Sequence, residues 1–194
     1  MQEYRDAIQY LERVTKGYRL EFAKNASPIC KQICFGVLRE HYRLAYFRDN
    51  LLKKKLPKKH LDLDLLLLCG IYSICHLKRP AHASVNAVVE VTILLNKSWA
   101  KGLINAAMRN FQRRQMALEE EANNKKETLL SHPSWLIHQL SDSWPDRANE
   151  IMLANNEPAP MTLRVNQTKT SLTDYRSMLE EQGISGQPIA DAPN

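Results

Sequence analysis

Hydrophobic residues recur at intervals of three and four through most of residues 1–118, which is the spacing of amphipathic helices. The first such stretch ends at Gly17, because glycine commonly terminates helices. Further periodic stretches cover residues 29–52 and 85–95, and another runs from about residue 98 into an exposed, charged extension. The pattern predicts five or six helices packed as one bundle up to about residue 125.

The segment that follows residue 60 allows two interpretations. LDLDL alternates as a strand does, but the run continues as LLLLCGIYSICHL, and its total length favours a buried helix. Asp62 and Asp64 fall in the first turn of that helix, where negative charge suits the helix dipole. Ser84 is expected to cap the helix after it.

The pattern changes near His132. Pro133 and Pro145 each stand close to a predicted helix start, and residues 161–166 alternate like a short strand. Another helix is predicted to begin at Thr170 or Ser171. The expected fold class is mainly α, with a helical bundle followed by a small helical or mixed α+β unit. The last residues resemble the start of a strand without a continuation, so we expect that the chain is cut within a domain.

Basic residues are concentrated in the bundle. Residues 1–118 contain 21 Lys and Arg and 9 Asp and Glu, whereas residues 119–194 contain 6 and 12. A strongly basic domain attracts polyanions because binding releases their counterions, although ordinary surface charge is the alternative. The longest apolar stretch, residues 65–71, is too short to span a bilayer, and no signal peptide is visible. We therefore expect a cytoplasmic protein without membrane contact.

The four cysteines all fall in predicted helices. Cys30 and Cys34 are four residues apart, whereas zinc sites favour closer pairs with further ligands. Cysteine packs as a small hydrophobic residue. We expect core packing for all four and no metal site.

Three blocks of the bundle resemble a known helical domain. They are CFGVLR at 34–39, GIYSICHLKRPAHASVNAVVEVTI at 70–93 and KGLINAAMRNFQR at 101–113. Together they resemble the NusB-type domain, an RNA-binding fold of antitermination factors and of some RNA methyltransferases. Gly36 is expected to let a neighbouring helix approach closely, and Asn105 to be a buried amide bonded to a backbone group.

Two later blocks narrow the resemblance. HPSWL at 132–136 and ANNEPAPMTLRVN at 154–166 are similar to the linker and N-terminal subdomain of the Sun/Fmu (RsmB-type) group. That group comprises bacterial methyltransferases that make 5-methylcytosine in small-subunit (16S) ribosomal RNA. The resemblance covers nearly the whole chain. It implies a NusB-like RNA-binding domain at 1–125, a helical linker at 126–160 and an incomplete methyltransferase subdomain at 161–194.

Ribosomal RNA is the partner that the resemblance implies. Arginine holds phosphates well through its fork of donors, and lysine adds charge. The expected RNA-binding residues, which we call the basic surface, are Arg39, Arg43, Lys78, Arg79, Arg109, Arg113 and Arg114, helped by the lysine loop at 53–59. Arg164 is expected either to touch RNA or to form a salt bridge to a missing C-terminal catalytic domain.

The catalytic features of the group are not found in this sequence. Its members hold S-adenosylmethionine with a turn similar to CAAPGGKT, and they use cysteines in Pro-Cys and Thr-Cys-Ser contexts. None of Cys30, Cys34, Cys69 or Cys75 has either context. The resemblance thus implies no catalytic residue, cofactor or metal in this chain, and S-adenosylmethionine for the full-length parent.

Two other functions remain open from the sequence. One is a stand-alone NusB-like regulator that binds RNA and a small ribosomal protein, which would leave residues 130–194 without a role. The other is a helical adaptor whose basic face meets an acidic protein.

Overall fold

The computed structural model describes residues 1–189, and the part it describes is helical without a strand. The helices are α1 (Gln2–Thr15), α2 (Pro28–Arg39), α3 (His41–Leu51), α4 (Leu61–His76), α5 (Ala81–Leu94), α6 (Lys101–Asn123), α7 (Lys126–Leu129), α8 (Ser134–Ser143), α9 (Ala148–Asn155) and α10 (Leu172–Glu181). Short 3-10 turns, Lys58–His60 and Ser98–Ala100, precede α4 and α6. The mainly α fold class is confirmed. The chain forms two compact units, residues 1–157 and 158–194.

Helix α4 is the centre of the first unit. It contacts α1, α2, α3, α5 and α6, and residues 65–73 are buried without interruption. A helix that is apolar on all sides must be surrounded by others, which explains why LDLDL continues as a helix. Asp62 and Asp64 lie in its first turn, as predicted.

Gly36 of α2 faces Tyr72 of α4 at very short range. A Cβ atom on Gly36 would lie 2.0 Å from Tyr72 Cζ, so only glycine leaves room for the ring. The predicted close approach of helices at Gly36 is confirmed.

Three local predictions were wrong. Residues 29–52 form two helices, since the chain turns at Glu40, whose φ and ψ are −102° and 22°. Ser84 does not cap α5 but lies buried inside it. The helix begins earlier because the Pro80 carbonyl accepts hydrogen bonds from the N–H groups of Ala83 and Ser84. Residues 161–166 form no strand, since a strand needs a pairing neighbour and the described residues provide none.

A smaller core covers the C-terminal part of the first unit. It consists of Leu130, Ile137, Ala148 and Met152, supplied by α8, α9 and the residue after α7. The Thr128 hydroxyl donates to the Ala122 carbonyl, and Asn156 Nδ2 donates to the Leu130 carbonyl over 2.6 Å. These bonds tie the end of α6 to α7, and the end of α9 to the segment after α7.

The second unit contains α10. The Ser171 hydroxyl accepts a hydrogen bond from the Asp174 N–H over 3.1 Å and so caps the helix. Gly183, with φ of 73°, follows its last turn. The predicted helix start at Ser171 is confirmed.

The cysteine side chains contribute to the core of the first unit. Cys30, Cys34 and Cys69 are buried, and Cys75 is half-buried. Burial raises the pKa of all four thiols, to about 12 for Cys75. They are therefore neutral, unreactive packing groups near neutral pH. None of the helices in the described part of the chain has the length and apolar character that crossing a membrane requires.

Candidate nucleic-acid interface

The C-terminal ends of α2 and α4 lie side by side. His76 Nε2 is 2.9 Å from a Glu40 carboxylate oxygen, and the His76 ring stacks on Tyr72 with centroids 4.8 Å apart. Arg39 directly precedes Glu40, and Lys78 follows His76 by two residues, so both lie at this end of the bundle. The structure thus brings together two of the predicted residues that are far apart in sequence.

Arg43 lies where α3 meets the end of α6. Its Nη1 donates to Asn123 Oδ1 over 2.9 Å, and its guanidinium carbon is 5.4 Å from the centroid of the Phe47 ring. Neither contact neutralises the charge. Arg43 is therefore held in place with its positive charge still available to an anion.

Arg79 differs from the others because it has an acidic partner. Its Nη1 donates to Glu3 Oε1 over 2.9 Å, which joins the α4–α5 loop to α1. Burial raises the pKa of Glu3, but hydrogen bonds from the N-terminal ammonium and from Arg79 outweigh it and leave the pKa at about 2. Arg79 is accordingly partly neutralised by Glu3, and we expect it to contribute less to any anion binding than the residues without an acidic partner.

Helix α6 presents two exposed arginines one turn apart. Arg109 Nε donates to Asn105 Oδ1 over 3.1 Å, while Arg113 has no ion pair within the described residues. The expectation that Asn105 is a buried amide bonded to backbone was wrong, since its side chain is half-buried and orients Arg109 instead. Arg114 Nη1 lies 3.4 Å from the Asn50 carbonyl at the end of α3.

Seven of the eight predicted residues, all except Arg79, form no ion pair within residues 1–189.

Arg164 belongs to the second unit. It is exposed within the segment that was predicted to be a strand. Arg164 is therefore a candidate contact of the second unit.

Sequence reasoning did not single out Trp99. This side chain is 61% exposed, and its ring centroid lies 5.0 Å from that of His60, directly after the lysine loop. Trp99 lies between two periodic segments and belongs to the apolar face of neither. A large aromatic residue at such a position could have indicated an exposed ring.

The Glu3–Arg79 ion pair predicts a pH-dependent stability. Glu3→Gln is expected to lower the free energy of unfolding by about 1 kcal/mol at pH 7, because a partly exposed pair is screened by solvent. The folded-state pKa of Glu3 is below its ordinary 4.5, so this stabilisation is present above pH 4.5 and lost as the pH falls toward 2. Urea denaturation of both proteins at several pH values measures the difference. Equal stabilities at pH 7 would contradict the prediction, and Glu21→Gln, at an exposed carboxylate without an ion pair in the described structure, is the control.

Two protein families match this chain. Residues 3–113 match the NusB family, and residues 132–194 match the family described as "Methyltr_RsmF/B-like, ferredoxin-like domain". The first match covers α1 to α5 and the first half of α6, which include the basic surface except Arg114.

Curated relatives match over most of this chain. The "Probable ribosomal RNA small subunit methyltransferase B" of Coxiella burnetii is 38% identical over 170 residues, covering 88% of this chain and 39% of that protein. The "Ribosomal RNA small subunit methyltransferase B" of Shigella flexneri serotype 5b is 33% identical over 186 residues, covering 96% and 43%. That of Vibrio cholerae is 38% identical over 164 residues, covering 84% and 38%.

The chain spans about two fifths of the length of these relatives. The two family matches follow each other in the same order as the sequence blocks that resemble the NusB-type domain and the Sun/Fmu group. The chain therefore belongs to the NusB family through its helical bundle, which is followed by a ferredoxin-like domain of the RsmF/B methyltransferase type.

Proposed function

We propose that this chain is the RNA-binding N-terminal region of a small-subunit ribosomal RNA methyltransferase. In this proposal it docks ribosomal RNA for a catalytic domain that would lie beyond the region matched in the relatives. That domain would transfer a methyl group from S-adenosylmethionine to cytosine C5. The chain's own residues would bind and position the RNA. Residues 1–125 would be the RNA-binding domain, 126–160 a helical linker and 161–194 the start of the methyltransferase module.

The observation that carries the proposal is the unpaired positive charge of the basic surface. Six of its seven residues have no ion pair within the described structure, although the chain contains 21 acidic side chains. Unpaired cations attract phosphates and release counterions on binding, which gives a salt-dependent affinity. The names of the relatives supply the kind of RNA. A stand-alone regulator would leave the ferredoxin-like match at 132–194 without a role.

Binding to two RNAs at two salt concentrations tests this proposal. We expect the chain to bind small-subunit ribosomal RNA more tightly than a transfer RNA, and the affinity for both to fall steeply as salt rises. Titrations at about 50 and about 200 mM salt measure both effects, because phosphate contacts weaken strongly over this range. Weak binding that is equal for the two RNAs would contradict a docking role, since the choice of substrate would then lie elsewhere in the full-length protein.

A further inference from the structure

Trp99 exposes most of a large aromatic ring at the turn before α6. The side chain is 61% exposed, and the 3-10 turn Ser98–Ala100 holds its backbone against α5 and α6. Its ring contacts that of His60 at an angle of 58°, with centroids 5.0 Å apart. This contact orients the indole without covering it. An aromatic ring that is held in place and still exposed offers a flat surface for stacking.

The lysine loop that leads to His60 contains several lysines that lack an acidic partner within the described residues. Lys58 and Lys59 directly precede His60, and both are exposed. Within the described residues neither forms an ion pair, and the same holds for Lys53 and Lys54. Lys55 lies 3.1 Å from Asp49. Four lysines of this loop thus lack an acidic partner within the described residues, and two of them, Lys58 and Lys59, directly precede the residue that contacts the indole.

The acidic groups nearby are already occupied. Asp49 and Asp64 both bind Arg48, the second over 2.6 Å, and Asp62 binds Lys97 over 2.5 Å. Of these three carboxylates only Asp49 pairs with a residue of the lysine loop, Lys55, so none of them pairs with Lys58 or Lys59. The surface formed by Trp99, Lys58 and Lys59 therefore combines positive charge with an exposed aromatic ring.

We propose that Trp99 stacks on an unpaired base of RNA while Lys58 and Lys59 bind the phosphates on either side of it. This inference rests on the proposed function and names a single-stranded segment as the substrate class for this surface. Every base has a π-face, and only an unpaired base can leave its stack to reach a side chain. Aromatic rings combined with a positively charged groove are the usual means of binding single strands. An acidic protein would pair with the lysines but would not require an exposed indole beside them.

Tryptophan fluorescence tests the stacking directly. The chain has three tryptophans, so the double variant Trp135→Phe/Trp144→Phe leaves Trp99 as the only one. We expect a 12-nucleotide oligouridine to quench its emission strongly, because a stacked base quenches indole, and a blunt RNA duplex of equal length to quench it little. Polyglutamate is the probe for an acidic protein partner. Quenching by polyglutamate or by the duplex that matches quenching by oligouridine would overturn the inference.

Affinity measurements separate stacking from charge. Trp99→Ala is expected to weaken oligouridine binding by about tenfold, and Trp99→Phe to retain most of the affinity. Lys58→Glu/Lys59→Glu should weaken binding and lower the salt slope by about two. Trp135→Ala is the matched control, because Trp135 is 65% exposed and lies on α8, away from the lysine loop in sequence. Its affinity should equal that of the unmodified chain.

The outcomes distinguish this inference from the proposed function. Unchanged oligouridine affinity in Trp99→Ala, with ribosomal RNA still bound, would overturn the stacking role and leave the docking function intact. Absence of binding to either RNA at low salt would overturn both.

Discussion

Replacing Arg39, Arg109 and Arg113 together by glutamate is expected to weaken binding of small-subunit ribosomal RNA by about a hundredfold at moderate salt. These side chains have no ion pair within the described residues and lie on two parts of the basic surface, the end of α2 and the exposed face of α6. Each reversal removes one phosphate contact and adds a repulsion. The slope of affinity against salt should therefore fall by about three.

A second triple variant controls for net charge. Arg13, Lys16 and Arg19 are exposed, lie outside the basic surface and also lack ion pairs in the described structure. Their replacement by glutamate changes the net charge equally but leaves the basic surface unchanged, so we expect it to reduce RNA affinity much less. Circular dichroism melting of both variants checks that the bundle is intact. An equal loss of affinity in the two variants would mean that the charge acts without a defined surface.

Gly36→Ala is expected to destabilise the first unit by about 2 kcal/mol, the net of an overpacking cost and a gain in helix propensity. Three atoms of the Tyr72 side chain lie within 2.4 Å of the position that the new Cβ would take. The ring cannot move aside freely, because it is buried and stacks on His76. The helices must separate, and the contact between α2 and α4 weakens. Urea denaturation measures the loss.

Gly102 supplies the matched control for Gly36. It also lies in a helix, but nothing surrounds the position of an added Cβ within 4 Å. Gly102→Ala should therefore raise stability by up to about 1 kcal/mol through helix propensity alone. The double variant Gly36→Ala/Tyr72→Val restores the space and should lose less stability than the two single changes combined. Equal stabilities of Gly36→Ala and Gly102→Ala would show that the α2–α4 contact is not tight.

Local signals were sufficient for most helices. Apolar spacing predicted α1 and α6, Gly17 marked an end, and Ser171 marked a start, because each of these depends on residues within one or two turns. The length of the apolar run was sufficient to predict a helix instead of a strand for α4. The break at Glu40 could not be predicted, since no glycine or proline marks it and the apolar spacing continues across it.

The candidate site was harder to predict than the helices. The sequence identifies which residues are basic and the family resemblance places them on helices, but pairing across the fold decides which charges stay available. Arg79 is partnered by Glu3, which is 76 residues away, and Asn105 turned out to orient Arg109. Trp99 escaped notice because its partner His60 comes from a separate turn. No local pattern encodes such pairs.

Helix α6 determines where the chain leaves its first unit. It runs unbroken for 23 residues, about 35 Å, from the turn at Trp99 past Arg113 to Asn123, and hydrogen bonds continue the connection to Asn156. The point where the chain leaves this unit is thus held at a fixed position relative to Trp99 and Arg113. If the basic surface binds RNA as proposed, motion inside the bundle would hardly change the distance between that exit point and the RNA.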